Sequence, residues 1–209
     1  LVPVLYLAQA DSRNVRGNTL IQGRDLNLVT GGDLINVGTL RASNNLSAIS
    51  SGSIYTGGLV EAGNNLNLLA QDSIRNAMAG EIRGKQVSLT ALKGDITNDT
   101  TAIQVRDGVG MRTLTDTSAG TIVARENLAI DAGRDLTNRG ALVAGNDANL
   151  TAGRDLNLIA ASDTSVKHES RDGGEKSSIT TDVKNLAASV TTGCNLNMQA
   201  GQDVNIIGS

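Results

Sequence analysis

Two consecutive blocks of twenty residues, TIVARENLAIDAGRDLTNRG (residues 121–140) and ALVAGNDANLTAGRDLNLIA (residues 141–160), share one pattern of apolar residues. Within a block the apolar residues stand two apart, as Leu128 and Ile130 do, which is the alternation of a β-strand and not the spacing of a helix. A fixed period of this kind indicates one supersecondary unit stacked on itself. The aligned pairs are Ile122 with Leu142, Leu128 with Ala148, Ile130 with Leu150, and Leu136 with Leu156.

Turns of the form Gly-x-Asp separate the strands, as at residues 133–135 and 153–155. Each block has three apolar positions and closes on itself once in about twenty residues, so stacked blocks form three parallel sheets. The sequence therefore predicts an all-β protein, a right-handed parallel β-helix with about twenty residues per coil.

The same period continues over most of the chain, and we predict β-helix repeats over residues 19–209. Eight coils are expected, beginning near residues 19, 39, 59, 81, 101, 121, 141 and 190. The coil at Thr101–Gly120 is the weakest, because Asp116 and Thr117 stand near its third apolar position. Eight strands spaced about 4.8 Å apart would make a rod on the order of 40 Å long.

The composition is typical of a narrow, repeated core. The 209 residues include no Trp, no Phe, two Tyr, one Pro and 24 Gly, whereas a globular core usually contains large aromatic side chains. The net charge of −3 gives no basic stripe, so we expect no nucleic-acid partner. Cys194 is the single cysteine and cannot form an internal disulfide, and we assign it no reactive role. No apolar run has the length of a membrane span.

Residues 1–18 show no clear repeat. We predict that they cap the first coil, since the bare end of a β-helix needs a cover. Their first ten residues, LVPVLYLAQA, resemble the apolar region of a signal peptide, but they lack a basic start and contain Pro3. We therefore interpret them as the apolar lead-in of a segment cut from a longer protein.

The period breaks at Ala161, and a polar insertion is predicted at residues 161–189. Asp172-Gly173-Gly174 is a hairpin turn signal, and the flanking stretches Thr164–Ser170 and Lys176–Val183 alternate as strands do. We expect a hairpin or loop projecting near residues 162–182, with a disordered surface insertion as the alternative. Because function tends to collect on segments that leave a rigid scaffold, the candidate partner contacts are Lys167, His168, Glu169 and Arg171.

Asparagine recurs at the third apolar position of four coils, at Asn36, Asn76, Asn98 and Asn138. Stacked amides could form a side-chain ladder, since each amide both donates and accepts hydrogen bonds. Alternatively, each Asn caps its own turn. We favour turn capping for most of the four.

The repeated phrases GRDLxL and AGRDLxN resemble the hemagglutinin repeats of filamentous hemagglutinin and related exoproteins of Gram-negative two-partner secretion systems. The resemblance covers Leu20 to Ile207, and the insertion at 161–189 is its least typical part. The segment PVLYLAQA ahead of the repeats also looks like the start of the second repeat block in contact-dependent growth inhibition effectors. The phrases are found at Gly23–Leu28, Gly32–Asn36, Gly133–Asn138, Gly153–Leu158 and Gly201–Ile206.

The resemblance implies a rigid stalk on a long secreted or surface-tethered protein, used for adhesion or for presenting and delivering a C-terminal toxin. The partners it implies are an outer-membrane secretion partner and a receptor or envelope of the host or target cell, reached through the parent protein. Neither the secretion domain nor a toxin domain is recognisable in these residues, and the chain by itself is expected to be monomeric.

Parallel β-helices also serve as polysaccharide lyases and hydrolases, which is the alternative function. Glycoside hydrolysis needs two carboxylates facing one groove, whereas Asp25, Asp33, Asp135, Asp155 and Asp203 recur after Gly at turns, where an Asp side chain bonds nearby backbone. An active site would be unique and not repeated in every coil. We therefore predict no enzyme activity.

Neither a metal nor a cofactor is predicted. His168, the only histidine, has no oriented partner for a catalytic triad, and Gly31-Gly32-Asp33 lacks the spacing of a calcium-binding nonapeptide repeat. The arginines next to turn aspartates, Arg24, Arg134 and Arg154, are expected to form solvated ion pairs that contribute little each.

Overall fold

The chain folds, in a computed structural model, into a right-handed parallel β-helix from which two hairpins project. The structure describes residues 19–77, 79–100, 102–107, 110–115, 119–171 and 176–208, and it describes 102–107, 110–115, 162–171 and 176–184 by their backbone alone. The predicted capping segment 1–18 lies outside the described residues. No helix of the described part is long and apolar enough to cross a membrane.

Three parallel sheets of seven strands run along the described solenoid. The first sheet contains β1 (Leu20–Gly23), β4 (Thr39–Ala42), β7 (Leu59–Ala62), β10 (Glu81–Gly84), β15 (Thr121–Ala124), β18 (Ala141–Ala144) and β23 (Ser189–Thr192). The second contains β2 (Leu26–Thr30), β5 (Leu46–Ser50), β8 (Asn65–Ala70), β11 (Gln86–Ala91), β16 (Leu128–Ala132), β19 (Ala148–Ala152) and β24 (Leu196–Ala200). The third contains β3 (Leu34–Asn36), β6 (Ile54–Thr56), β9 (Ile74–Asn76), β12 (Ile96–Asn98), β17 (Leu136–Asn138), β20 (Leu156–Ile159) and β25 (Val204–Ile207).

The register of these sheets is the alignment predicted from residues 121–160. Strand β16 pairs with β19 so that Ile130 lies beside Leu150, and β17 pairs with β20 so that Leu136 lies beside Leu156. All four side chains are buried in a core built of aliphatic residues stacked coil upon coil. The predicted parallel β-helix is confirmed.

The predicted coil at Thr101–Gly120 is wrong. Strand β10 pairs directly with β15, with Ile82 beside Ile122, so that no coil lies between them. The intervening residues form an antiparallel hairpin of β13 (Ala102–Asp107) and β14 (Gly110–Thr115). Seven coils are therefore described, numbered here 1 to 7 along the chain, and seven strands at about 4.8 Å each make a stack about 34 Å long.

A second hairpin leaves the stack between coils 6 and 7. Its strands, β21 (Ala161–Arg171) and β22 (Lys176–Leu186), pair along their whole length, from Ala161 beside Leu186 to Arg171 beside Lys176. The predicted projecting hairpin is confirmed, and its strands are longer than the alternation in the sequence indicated.

An amide ladder runs inside the third sheet, which corrects the preference for turn capping. Asn76 Nδ2 donates to Asn98 Oδ1 at 2.8 Å, and Asn98 Nδ2 donates to Asn138 Oδ1 at 2.8 Å. These side chains are buried, and strand register places them one above the next. Capping also occurs, since Asn138 Oδ1 and Asn36 Oδ1 accept hydrogen bonds from the backbone N–H two residues on.

One rung of this ladder is missing at coil 2. Thr56 lies between Asn36 and Asn76 in the register of the third sheet. Its hydroxyl accepts from Asn36 Nδ2 at 3.4 Å, but the buried Asn76 Oδ1 has no hydrogen-bond partner among the described residues. A buried acceptor without a partner costs about 1–3 kcal/mol.

We expect the substitution Thr56→Asn to stabilise the protein by about 1 kcal/mol, because the new Nδ2 would donate to Asn76 Oδ1 in the same direction as the other rungs. Denaturant unfolding followed by circular dichroism measures the change. The control is Thr137→Asn, at a position of the third sheet that faces away from the core. A Thr56→Asn variant no more stable than this control would show that a hydrogen bond to Asn76 Oδ1 does not stabilise the protein.

Candidate functional site

The two hairpins form one four-stranded antiparallel sheet, here called the side sheet, in the order β13-β14-β21-β22. Each hairpin follows a strand of the third sheet, β12 in coil 4 and β20 in coil 6. Because both leave the solenoid at the same corner and only coil 5 separates them, β14 and β21 meet, with Arg112 beside Ser165. This sheet is not predicted from the sequence, because residues 101–120 have the length and alternation of a coil.

All four predicted contact residues lie on β21. Lys167 pairs with Thr180, His168 with Ile179, Glu169 with Ser178 and Arg171 with Lys176. Strand alternation puts positions 167, 169 and 171 on one face of the hairpin and position 168 on the other.

Three of these residues, His168, Glu169 and Arg171, belong to the part of the hairpin that extends beyond its neighbour, and Lys167 lies at the start of that part. In the register set by Arg112 and Ser165, the first residue of β14, Gly110, is level with Lys167. Among the described strands, residues 168–171 therefore pair with β22 alone. The tip of this hairpin carries charged residue types.

A second candidate surface is a ladder of charges on the outer face of the first sheet. Arg41 Nε donates to Glu61 Oε2 at 2.7 Å, and Arg83 Nε donates to Glu61 Oε1 at 3.0 Å. Arg83 also bonds Glu81 at 3.0 Å. The side chains of Arg41, Glu61, Arg83 and Arg125 line a shallow groove.

Glu61 is charged at neutral pH in this ladder. Its partial burial acts to raise the pKa, but the hydrogen bonds from Arg41 and Arg83 outweigh it, so that the pKa lies below its ordinary value. The charge ladder is not among the predicted sites, although Arg41, Glu61 and Arg83 occupy equivalent positions of consecutive repeats. An alignment of outward positions would have shown it.

The turn aspartates join one coil to the next, which corrects the turn role predicted for them. Asp33 Oδ1 accepts from Ser53 N at 2.7 Å, and Asp95 Oδ1 accepts from Asp135 N at 3.1 Å. Equivalent turn positions in successive coils are separated by one strand spacing, which brings the next backbone N–H within reach. The recurring Asp is structural, as expected, but its partner belongs to the following coil.

The turn arginines also reach to a neighbouring coil. Arg134 donates to Asp95 through Nε at 2.7 Å and through Nη2 at 2.5 Å, and Arg154 makes the same two-pronged contact with Asp135. The pairing expected within one turn is seen at Arg154 Nε and Asp155 Oδ2, 3.2 Å apart. Hydrogen bonds from Arg134 hold the pKa of Asp95 below its ordinary value, against the opposing effect of partial burial.

This pKa gives a pH-dependent prediction. A carboxylate whose folded pKa is lowered stabilises the protein above its unfolded pKa of about 3.9 and loses that contribution as the pH falls through the folded value. We expect Asp95→Asn to lower the melting temperature slightly at pH 7, because exposed pairs contribute little, and to have a smaller effect at pH 2. Thermal melts across this range measure it, with Asp131→Asn on the outer face of β16 as control. An Asp95→Asn effect equal at both pH values would contradict the assignment.

The described residues bring no cluster of three or more His, Cys, Asp or Glu side chains together in the geometry of a metal site. Cys194 is exposed, in the turn between β23 and β24. The carboxylates that recur along the stack are the ones that bond the next coil, as Asp33, Asp95 and Asp135 do.

Comparison with known proteins gives two matches. The family model described as hemagglutinin repeat matches residues 8–174. A protein of Dickeya dadantii (strain 3937) named deoxyribonuclease CdiA is 37% identical over 216 residues, covering 98% of this chain. The chain spans 6% of the length of that relative. No solved structure matches the chain.

Proposed function

The chain belongs to the hemagglutinin-repeat family, and we propose that it is a structural stalk segment of a large secreted or cell-surface exoprotein of a Gram-negative bacterium. The observation that carries this proposal is the uninterrupted stacking of seven coils in three sheets. Strand hydrogen bonds join each coil to the next, and turn aspartates and buried amides add further bonds at several of these junctions. Such a stack holds its parts at fixed positions and resists bending better than a chain of linked domains.

Within the exoprotein the stalk serves adhesion or contact-dependent presentation and delivery of a toxin. It is exported with an outer-membrane secretion partner and meets the surface of a host or target cell. The name of the Dickeya dadantii relative describes a deoxyribonuclease. We infer that this segment has no such activity of its own, because its repeated carboxylates are engaged in joining the coils.

The contact surface of the stalk, in this proposal, is the tip of the β21–β22 hairpin with Lys167, His168, Glu169 and Arg171. Support comes from its placement, since residues 168–171 extend past β14 while their base is paired into the side sheet. A rigid base with an extended polar tip is a common arrangement for recognition.

The experiment compares binding of the purified chain to susceptible bacteria and to host cells by flow cytometry. Three forms are used: the unchanged chain, a chain lacking residues 163–181, and a control with Thr97→Ala and Thr137→Ala on the outer face of the third sheet. Circular dichroism confirms that each form is folded. We expect binding by the unchanged chain and the control and its loss in the deletion. Equal binding by all three would exclude the hairpin tip as the contact surface. If none of the three binds, only the structural role as a stalk is supported.

A further inference from the structure

The outer surface of coils 1 to 3 has apolar side chains at positions where the other described coils have polar ones. In the second sheet, one outward-facing column begins with Val29, Ile49 and Leu69 and continues with polar residues. In the third sheet, the matching column begins with Ile35 and Tyr55. The polar continuations are Thr90, Asp131, Thr151 and Gln199 in the second sheet, and Arg75, Thr97, Thr137, Asn157 and Asn205 in the third.

These apolar side chains are open to solvent among the described residues. Val29 is 73% exposed and Ile35 is 70% exposed, while Ile49 and Tyr55 are 39% and 41% exposed. Single exposed apolar residues need no explanation, but a contiguous group in register does. We call the surface formed by Val29, Ile35, Ile49, Tyr55 and Leu69 the apolar corner.

The turn between the two columns has almost no side chains in coils 1 and 2. It contains Gly31 and Gly32 in coil 1, and Ser51 and Gly52 in coil 2. In later coils the same turn carries a long polar side chain, which is Gln71, Lys93, Arg134, Arg154 or Gln202, and in coil 4 the exposed Leu92 stands beside Lys93. The two apolar columns are therefore continuous across the turn only in the first two coils.

We propose that the apolar corner, and not the open end of coil 1 where residues 1–18 were predicted to form a cap, is the docking site of the segment Leu1–Ala8 of this chain, LVPVLYLA. The corner is confined to the coils nearest that segment, and the segment is the most apolar run of residues 1–18. The chain has two aromatic residues: Tyr6 lies in the segment and Tyr55 lies in the apolar corner. Burial of the corner under the segment removes apolar surface from water, which favours docking.

The chain is long enough for this contact. Ten residues, Gln9–Asn18, join the segment to the first coil, and they reach up to about 33 Å when extended. Half a coil also contains about ten residues, so the linker can pass from the start of β1 around to the corner. The eight residues of the segment span up to about 26 Å, more than the width of three strands.

The test is hydrogen–deuterium exchange of the full chain, read by mass spectrometry on peptides that cover residues 1–8. The corner variant carries Val29→Lys and Ile49→Lys. The control carries Thr151→Lys and Gln199→Lys, which lie in the same column of coils 6 and 7. Surface substitutions of this kind change global stability little, so both variants should fold.

We expect slow exchange of residues 1–8 in the unchanged chain and in the control, and exchange at least about tenfold faster in the corner variant. Fast exchange in the unchanged chain would overturn the proposal. So would equal protection in the corner variant, which would place the segment elsewhere, for example over the open end of coil 1 at Ile21. Sedimentation velocity is run in parallel. A dimer that dissociates in the corner variant would make a second copy the occupant and would also overturn it.

Discussion

The substitution Gly153→Ala is expected to lower the free energy of unfolding by about 3 kcal/mol or more, the upper part of the range for overpacking. A Cβ at this position would lie well inside contact distance of the carbonyl oxygen of Gly133 in the preceding coil. That obstacle is backbone, so no side chain can rotate away. Moving the turn would weaken the hydrogen bond from Gly153 N to Ala132 O, which is 2.9 Å long.

The matched control is Gly31→Ala, at the equivalent turn of coil 1. A Cβ added at Gly31 meets no described atom within 4 Å, so we expect a change within about 0.5 kcal/mol. Urea unfolding of the two variants beside the unchanged chain measures both effects. Equal stability of Gly153→Ala and Gly31→Ala would show that the coils are not stacked as closely as described. The same clash explains why Gly recurs in the Gly-Arg-Asp phrase, since Gly133 and Gly201 also face a carbonyl of the preceding coil.

The substitution Asn98→Asp is expected to cost about 3 kcal/mol or more at pH 7, because it buries a charge with no cation to pair with it. Asn98 donates to Asn138 Oδ1 at 2.8 Å and accepts from Asn76 Nδ2 at 2.8 Å. A carboxylate retains the second hydrogen bond but has no proton for the first. Two oxygen acceptors would then face each other in the core.

The cost should depend on pH in a definite direction. Burial raises the folded pKa of the introduced acid above its unfolded value of about 3.9, so the destabilisation grows as the pH rises between the two values and is largely relieved below 3.9. The protonated carboxyl can then donate to Asn138 Oδ1. Thermal melts of Asn98→Asp at pH 3 and pH 7 measure this, with Asn149→Asp at an exposed position of β19 as control. A loss of stability that is the same at both pH values would contradict the buried hydrogen bonds assigned to Asn98.

The repeat blocks allowed the solenoid to be predicted, because period-two alternation and a fixed period set both the strands and their register. The alignment of the blocks directly places Ile130 beside Leu150 and Leu136 beside Leu156. The error at Thr101–Gly120 has a physical cause. The length of that segment matches a coil, and its Ile103 and Met111 match coil positions, but antiparallel pairing of β13 with β14 satisfies the same alternation.

Contacts between coils were harder to predict than strands. The aspartate turn signal was recognised, but the partner of Asp33 lies 20 residues away at Ser53. Sequence reasoning on turns considers neighbours a few residues apart, whereas in a solenoid the nearest neighbour of a turn is the next turn. The side sheet was missed for a related reason, since it forms only because two hairpins leave one corner two coils apart.

The most direct test of the account is disulfide formation between coils 4 and 5. In a Cys194→Ser background, Arg83→Cys and Val123→Cys are placed beside each other by the register of β10 and β15. Neighbouring parallel strands lie about 4.8 Å apart, which suits a disulfide, whereas an extra coil between them would double the distance and prevent it. The pair Val123→Cys and Val143→Cys, in β15 and β18, is the positive control. We expect both pairs to form disulfides under mild oxidation, as read by mass spectrometry. A disulfide in the control pair alone would contradict the account, because it would mean that residues 101–120 form a coil between β10 and β15.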